Sequence, residues 1–221
     1  MVLQEQHLLN YYVLSYNKET ALRYFTQARE VIHFFEKVFG EYPFWKDGYK
    51  LVETPYAGME HQSAIAYGNG YTTSGHYYMY DLVDYIILHE TAHEWWGNSL
   101  TACDGADVWL HESFATFSEV LFIEEKLGRL VSIDYLKKKR SRISNKFPMV
   151  GPRNVNYWGF DDVYWKGAWV LHTLRSVINN DDIFFKWLKE GQKKFRHSVI
   201  CSDEFIEFTN EEVNIDLNYF F

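Results

Sequence analysis

The sequence predicts an α+β fold of two lobes with a cleft between them, and three observations lead to this. Apolar residues recur at helical spacing ahead of Gly40, short strand-like segments bounded by glycine turns follow as far as Gly75, and from there on the patterning is helical. The junction between a small strand-bearing first lobe and a mostly helical second lobe is the natural place for a site.

Residues 8–16 are short and mixed, suited to an extended segment or a linker remnant. Between Glu19 and Phe39 the positions Leu22, Phe25, Ala28, Ile32, Phe35 and Phe39 mark one helix, stopped at Gly40. Residues 49–52 and 63–71 read as strands separated by the loop 55–62, with turn signals at Gly68-Asn69-Gly70 and Ser74-Gly75. Beyond residue 75 only helices are expected, over residues 79–96, 106–127, 132–144, 161–178, 182–195 and 202–212. With no repeats or low-complexity tracts, residues 1–221 read as one domain, 1–75 holding a helix, strands and a loop and 76–221 the helical lobe.

A chain of 221 residues, 47% hydrophobic and 19% aromatic, can bury a sizeable core. Its net charge of -8 argues against a nucleic-acid partner, because no basic block offers the phosphate contacts. The basic run at residues 137–142 reads as a solvated helix face. No membrane span is expected: the apolar stretch 82–88 is short and contains Asp84. Cys103 and Cys201 match neither a CxxC spacing nor a disulfide framework, so the compartment stays open.

The sharpest signal is His89-Glu90-Thr91-Ala92-His93 inside a predicted helix. Residues i and i+4 project from one face, so both imidazoles can meet one ion. Glu112 follows His93 after eighteen intervening residues, set among Trp109, Leu110, Phe114 and Phe117. A carboxylate in such company is costly to bury unless it meets a cation. Two nitrogen ligands, one carboxylate and an open fourth position make a catalytic zinc arrangement, and Glu90 can reach the metal's water without binding metal itself. Glu119 falls on the same helical face as Glu112 and is a candidate acceptor for a ligand histidine's free N–H; a surface role stays open. His111 reads as a capping or packing residue, and His7, His33, His76, His172 and His197 as structural. From spacing alone, Tyr164 reads as packing and Glu60 as a loop acid.

These residues resemble the aminopeptidase N family of zinc metallopeptidases. HETAHEWWGN at residues 89–98 is close to the family's HExxHxWxGN, and WLHESFATF at 109–117 to its WLNEGFAxY. Ala57-Gly58-Met59-Glu60-His61 stands where the family has its GAMEN substrate loop, and Tyr164-Trp165-Lys166-Gly167-Ala168 matches YxKGA. Residues 202–205 and 217–221 look like the end of its catalytic domain. The resemblance implies a thermolysin-like catalytic domain with one Zn2+ per chain, held by His89, His93 and Glu112. It implies Glu90 as the general base and Tyr164 as the donor to the oxyanion. Glu60 would pair with the substrate's α-amino group, with Gly58 and Met59 binding the peptide as an added strand.

The expected substrates are therefore peptides with a free N-terminus. Ala57, His61 and Ser113 depart from the family pattern at positions for Gly, Asn and Gly. Family members carry a β-rich domain before this region and a helical one after it, partners with no counterpart in these 221 residues, so an isolated chain is expected to bind zinc and turn peptides over poorly. The rival readings are a thermolysin-type zinc endopeptidase and a non-catalytic module that retains zinc.

Overall fold

The computed structural model describes residues 9–72, 78–80, 82–156, 161–217 and 219–221. The expected turn at Ser74-Gly75, together with His7, His76 and Asn218, lies outside them. Two-lobed α+β architecture is what forms. In the first lobe, strands β1 (Leu9–Tyr12), β2 (Tyr49–Glu53), β3 (Gly58–Met59) and β4 (Ile65–Tyr67) make one sheet in the order β1-β2-β4-β3. β1 and β4 both run parallel to β2, and β3 lies antiparallel to β4 at the edge, with Gly58 opposite Tyr67 and Met59 opposite Ala66.

The helix expected over residues 19–39 is two helices, α1 (Lys18–Tyr24) and α2 (Gln27–Phe39). The break falls at Phe25-Thr26, where Thr26 Oγ1 donates to the Arg23 carbonyl at 2.7 Å and Phe25 turns fully into the core against Tyr11, Tyr67 and Tyr71. The strand expected over residues 63–71 is confined to β4, because Ser63 and Tyr71 both have positive φ, which interrupts a strand.

Beyond residue 75 the expectation of helices alone needs correcting. Strands β5 (Tyr78–Met79) and β6 (Val83–Asp84) pair antiparallel there. Helix α3 (Tyr85–Ala92) therefore starts later than the periodicity suggests. Its N-cap Asp84 accepts the amides of Ile86 and Ile87 at 2.8 and 3.3 Å, satisfying donors at the helix start. The helices that follow are α4 (Trp109–Leu127), α5 (Arg129–Lys139), α6 (Asp162–Ile178), α7 (Asp181–Lys194) and α8 (Ser202–Val213). Before α4 and after α5 the expected helix runs as short 3-10 turns, Gly105–Asp107 and Arg140–Arg142.

A parallel pair, β7 (Leu100–Ala102) and β8 (Ser198–Ile200), was also hidden in the sequence. Each strand has three residues, too few for a period to register. This pairing brings Cys103 to Cys201, and the two form a disulfide across 98 residues of sequence. The cysteines thus do make a framework, one that spacing could not announce because tertiary pairing creates the proximity.

α4 is buried on almost every side from Trp109 to Ile123, as a helix central to the core must be. Phe35 and Phe39 of α2 pack on Trp95 and Phe34 packs on Phe122, while Trp96 stacks on Phe114 at 3.9 Å. Across α4, α6 and α7, the buried Arg175 guanidinium binds Glu124 and Asp181, each through two nitrogen–oxygen contacts of 2.7–2.9 Å.

Candidate metal centre

α3 and α4 bring the three expected ligands together. His89 lies one turn before the end of α3 and His93 caps it in helical conformation, so both rings leave the same side. Their Nε2 atoms stand 3.2 Å apart, and Glu112 Oε2 stands 3.4 and 3.5 Å from them. Tetrahedral coordination with metal–nitrogen bonds of about 2.0–2.1 Å requires donor atoms separated by roughly 3.3 Å. The spacing fits zinc.

The hydrogen bonds behind the donors fit it as well. His93 Nδ1 is 2.9 Å from the carbonyl of Trp96, which can only accept, so the proton sits on Nδ1 and Nε2 presents a lone pair. His89 Nδ1 is 2.9 Å from Glu119 Oε1, which orients that ring in the same sense. Two lone pairs and a carboxylate oxygen would then face one another, and Glu112 Oε2 is buried without a hydrogen-bond partner among the described residues. Burial opposes a charged imidazole at His93, but the Glu112 carboxylate outweighs it and pushes the ring up to about 9, so positive charge is favoured beside these groups.

Glu119 is therefore no surface residue. It is fully buried, and its other oxygen accepts the Tyr135 hydroxyl from α5, so α5, α4 and α3 are joined at the back of the site. The remaining expected residues surround a cavity of about 310 Å³ lined by Gly58, Met59, Glu60, His89, Glu90, His93, Val108, His111, Glu112 and Tyr164. Glu90 is mostly buried, and burial raises its carboxyl above the ordinary range. Tyr164, from the first turn of α6, stacks over His89 at 6.2 Å. Burial and the carboxylates of Glu112, Glu60 and Glu90 raise its phenol, keeping the O–H available to donate.

The sheet brings Glu60 into the same space. Carboxylate oxygens of Glu60 and Glu90 and a ring nitrogen of His93 all lie within 4.8 Å of one another. Gly58 permits the approach: a β-carbon there would meet Ile86 Cγ2 at 2.6 Å and Glu90 Oε1 at 2.8 Å. Edge strand β3 can thus lie directly over the helix that carries Glu90.

Sequence reasoning missed two residues. His111 lines the cavity, and its Nε2 accepts the Ala102 amide at 2.8 Å; burial and the neighbouring His93 push it down to about 4, leaving it neutral. Glu94 is fully buried beside His93, and burial pushes its carboxyl up to about 7. A carboxylate between His93 and Trp95-Trp96 carries the same signal that marked Glu112, an acid in apolar company.

A fold whose two lobes meet over an HExxH helix and a downstream Glu defines a class, and comparison with known proteins gives the family. The Peptidase family M1 domain matches residues 24–221, and the chain belongs to that family. It is 29% identical over 189 residues to a leucyl aminopeptidase of Saccharolobus solfataricus, covering 77% of this chain and 24% of that protein. It is 26% identical over 197 residues to mouse aminopeptidase B, covering 78% and 28%. The chain thus spans about a quarter of the length of these curated relatives. Its fold resembles an M1 zinc metallopeptidase from Deinococcus radiodurans, with a TM-score of 0.71, 22% identity and coverage of 88% of this chain and 42% of that one. Yeast LTA4 hydrolase in complex with bestatin superposes with a TM-score of 0.73 at 21% identity, over 95% and 37% of the two chains. Among the described residues no helix is long and apolar enough to cross a membrane.

Proposed function

We propose that this chain is the catalytic unit of a zinc aminopeptidase that removes the N-terminal residue from peptides. The observation that carries the reading is the closeness of Glu60, Glu90 and His93, whose ligating atoms lie within 4.8 Å of one another. An acid that close to the metal position can take a substrate's α-ammonium group, of pKa about 8, and leaves room for a single residue before the scissile bond.

In this reading His89, His93 and Glu112 hold one zinc ion, and Glu119 keeps His89 turned toward it. When bound, the ion supplies Lewis acidity and makes water a competent nucleophile near neutral pH. Glu90 takes the proton of the attacking water and delivers it to the leaving amine. Tyr164 donates its O–H to the carbonyl oxygen as negative charge grows there. Among the described residues β3 is the last strand of its sheet, and Gly58 and Met59 offer its outer edge to the peptide backbone, which adds as a further strand. A thermolysin-type endopeptidase would have no use for an acid at Glu60.

The test is metal content followed by an aminoacyl-anilide panel, comparing the wild type with Glu90→Gln. One zinc per chain and release of the first residue, abolished in the variant, is the expected result. Turnover unchanged by Glu90→Gln would overturn the reading. Equal cleavage of free and N-acetylated peptides would instead favour the endopeptidase.

A further inference from the structure

Glu94 is fully buried, and the donors that satisfy it come from three separate segments. Its Oε2 accepts the hydroxyl of Tyr42, and its Oε1 accepts the backbone N–H of Ser63 at 2.9 Å and Asn98 Nδ2 at 3.0 Å. Asn98 Nδ2 also donates to the backbone carbonyl of Glu60 at 2.8 Å. The loop carrying Glu60 is therefore fastened from the turn that follows α3 at two points, the Glu60 carbonyl and the Ser63 amide. At its other end the loop is fixed by the pairing of Gly58 and Met59 with β4.

This geometry goes beyond satisfying a buried acid. Glu94 adjoins His93, so the element that presents a metal ligand also sets the height of the Glu60 backbone over the cavity. Ser63 has a φ of 57°, a conformation that a non-glycine residue adopts at some cost and keeps only when its surroundings hold it. The bond to Glu94 does so.

We infer that Glu94 and Asn98 are positioning residues that hold the Glu60 loop at a fixed distance from the metal ligands, and so set the selectivity for a free N-terminus. The inference rests on the aminopeptidase reading for its consequence, and on the hydrogen bonds for the clamp itself.

Two readouts on the 221-residue chain test it. The first is hydrogen exchange at the amides of residues 60–63 in the wild type, Asn98→Ala, Glu94→Leu and Glu94→Gln, each checked for zinc content. The loop amides are expected to exchange about tenfold faster or more in Asn98→Ala and Glu94→Leu, with α3 amides unchanged, while Glu94→Gln, which keeps an acceptor oxygen, stays near the wild type. Glu94→Leu is the variant at greater risk of misfolding, and Asn98→Ala, at a half-buried position, carries the test without it.

The second readout is the ratio of kcat/KM for free against N-acetylated peptides. It is expected to fall about tenfold in Asn98→Ala, mainly through a higher KM for the free peptide, and to be kept in Glu94→Gln. A purely structural role would lower activity on both substrates alike and leave the ratio where it was. Unchanged loop exchange in Asn98→Ala would overturn the inference and leave the aminopeptidase reading standing. A wild type without any preference for free peptides would overturn that reading and the selectivity role with it, and the exchange data would then decide the clamp alone.

Discussion

Gly167 of α6 lies directly against Ser113 of α4: a β-carbon built on Gly167 would fall 1.7 Å from Ser113 Oγ and 2.4 Å from its Cβ. Ser113 is buried and donates to the Val163 carbonyl at 2.6 Å, so it cannot swing away freely. The two helices carrying Glu112 and Tyr164 cross where one of them has no side chain. Gly167→Ala should therefore destabilise the fold by about 1–3 kcal/mol, the usual range for overpacking, and Ser113→Gly in the same chain should recover most of it. Urea unfolding of the two single variants and the double variant measures the coupling; additive effects would mean that the contact is not what matters.

Removing the acceptor behind His89 should loosen the metal without removing a ligand. Glu119→Gln is expected to lower zinc affinity about 10–100-fold, read by competition with a chelator at fixed pH. Unaltered affinity would make Glu119 a packing residue only.

Tyr164→Phe keeps the ring over His89 and deletes the O–H. With zinc content unchanged, kcat should fall about 10²–10³-fold with little change in KM, as when one donor to an oxyanion is lost. A larger effect on KM than on kcat would point to ground-state binding instead.

The disulfide between Cys103 and Cys201 closes a loop of 98 residues, and constraint of the unfolded chain at that length is worth about 4.7 kcal/mol in the entropic picture, with measured values of about 2–5. The double variant Cys103→Ser, Cys201→Ser should lose stability in that range in urea. A melting profile matching the wild type's, with and without reductant, would argue against the bridge.

Stability should also carry a pH signature from the α3 cap. Burial raises Asp84 above its ordinary 3.8, against the hydrogen bonds of Tyr24, Asn69, Ile87 and Tyr67. The folded protein thus keeps this proton to higher pH than the unfolded chain. The sign follows: stability is greatest, as far as this group is concerned, below about pH 3.8, and falls as pH rises through the raised value. The difference in unfolding free energy between wild type and Asp84→Asn should therefore decline with rising pH above about 4. A pH-independent difference would show that the cap is not titrating.

The three candidate ligands, two at the end of α3 and one on α4, were legible because both signals are local. Residues i and i+4 share a helix face, and Glu112 stood out as an acid in apolar surroundings. The break at Phe25-Thr26 was not legible, since Phe25 keeps its apolar period while the backbone turns, and the three-residue strands β7 and β8 were too short to show any period. Glu119 could be placed on a face by periodicity, but that the face meets His89 is a fact of helix packing.

By itself, then, the sequence determined the chemistry available: His89, His93 and Glu112 as donors, Glu90 between them, and a fold class set by where strand-like patterning gives way to helical. Tertiary structure alone decided what converges. The loop that carries Glu60 out of the edge strand, the first turn of α6 carrying Tyr164, the closing of Cys103 on Cys201 and the fastening of the Glu60 loop by Glu94 and Asn98 all depend on chain segments distant in sequence. No local period encodes such meetings, because they arise when separate apolar faces are buried against one another.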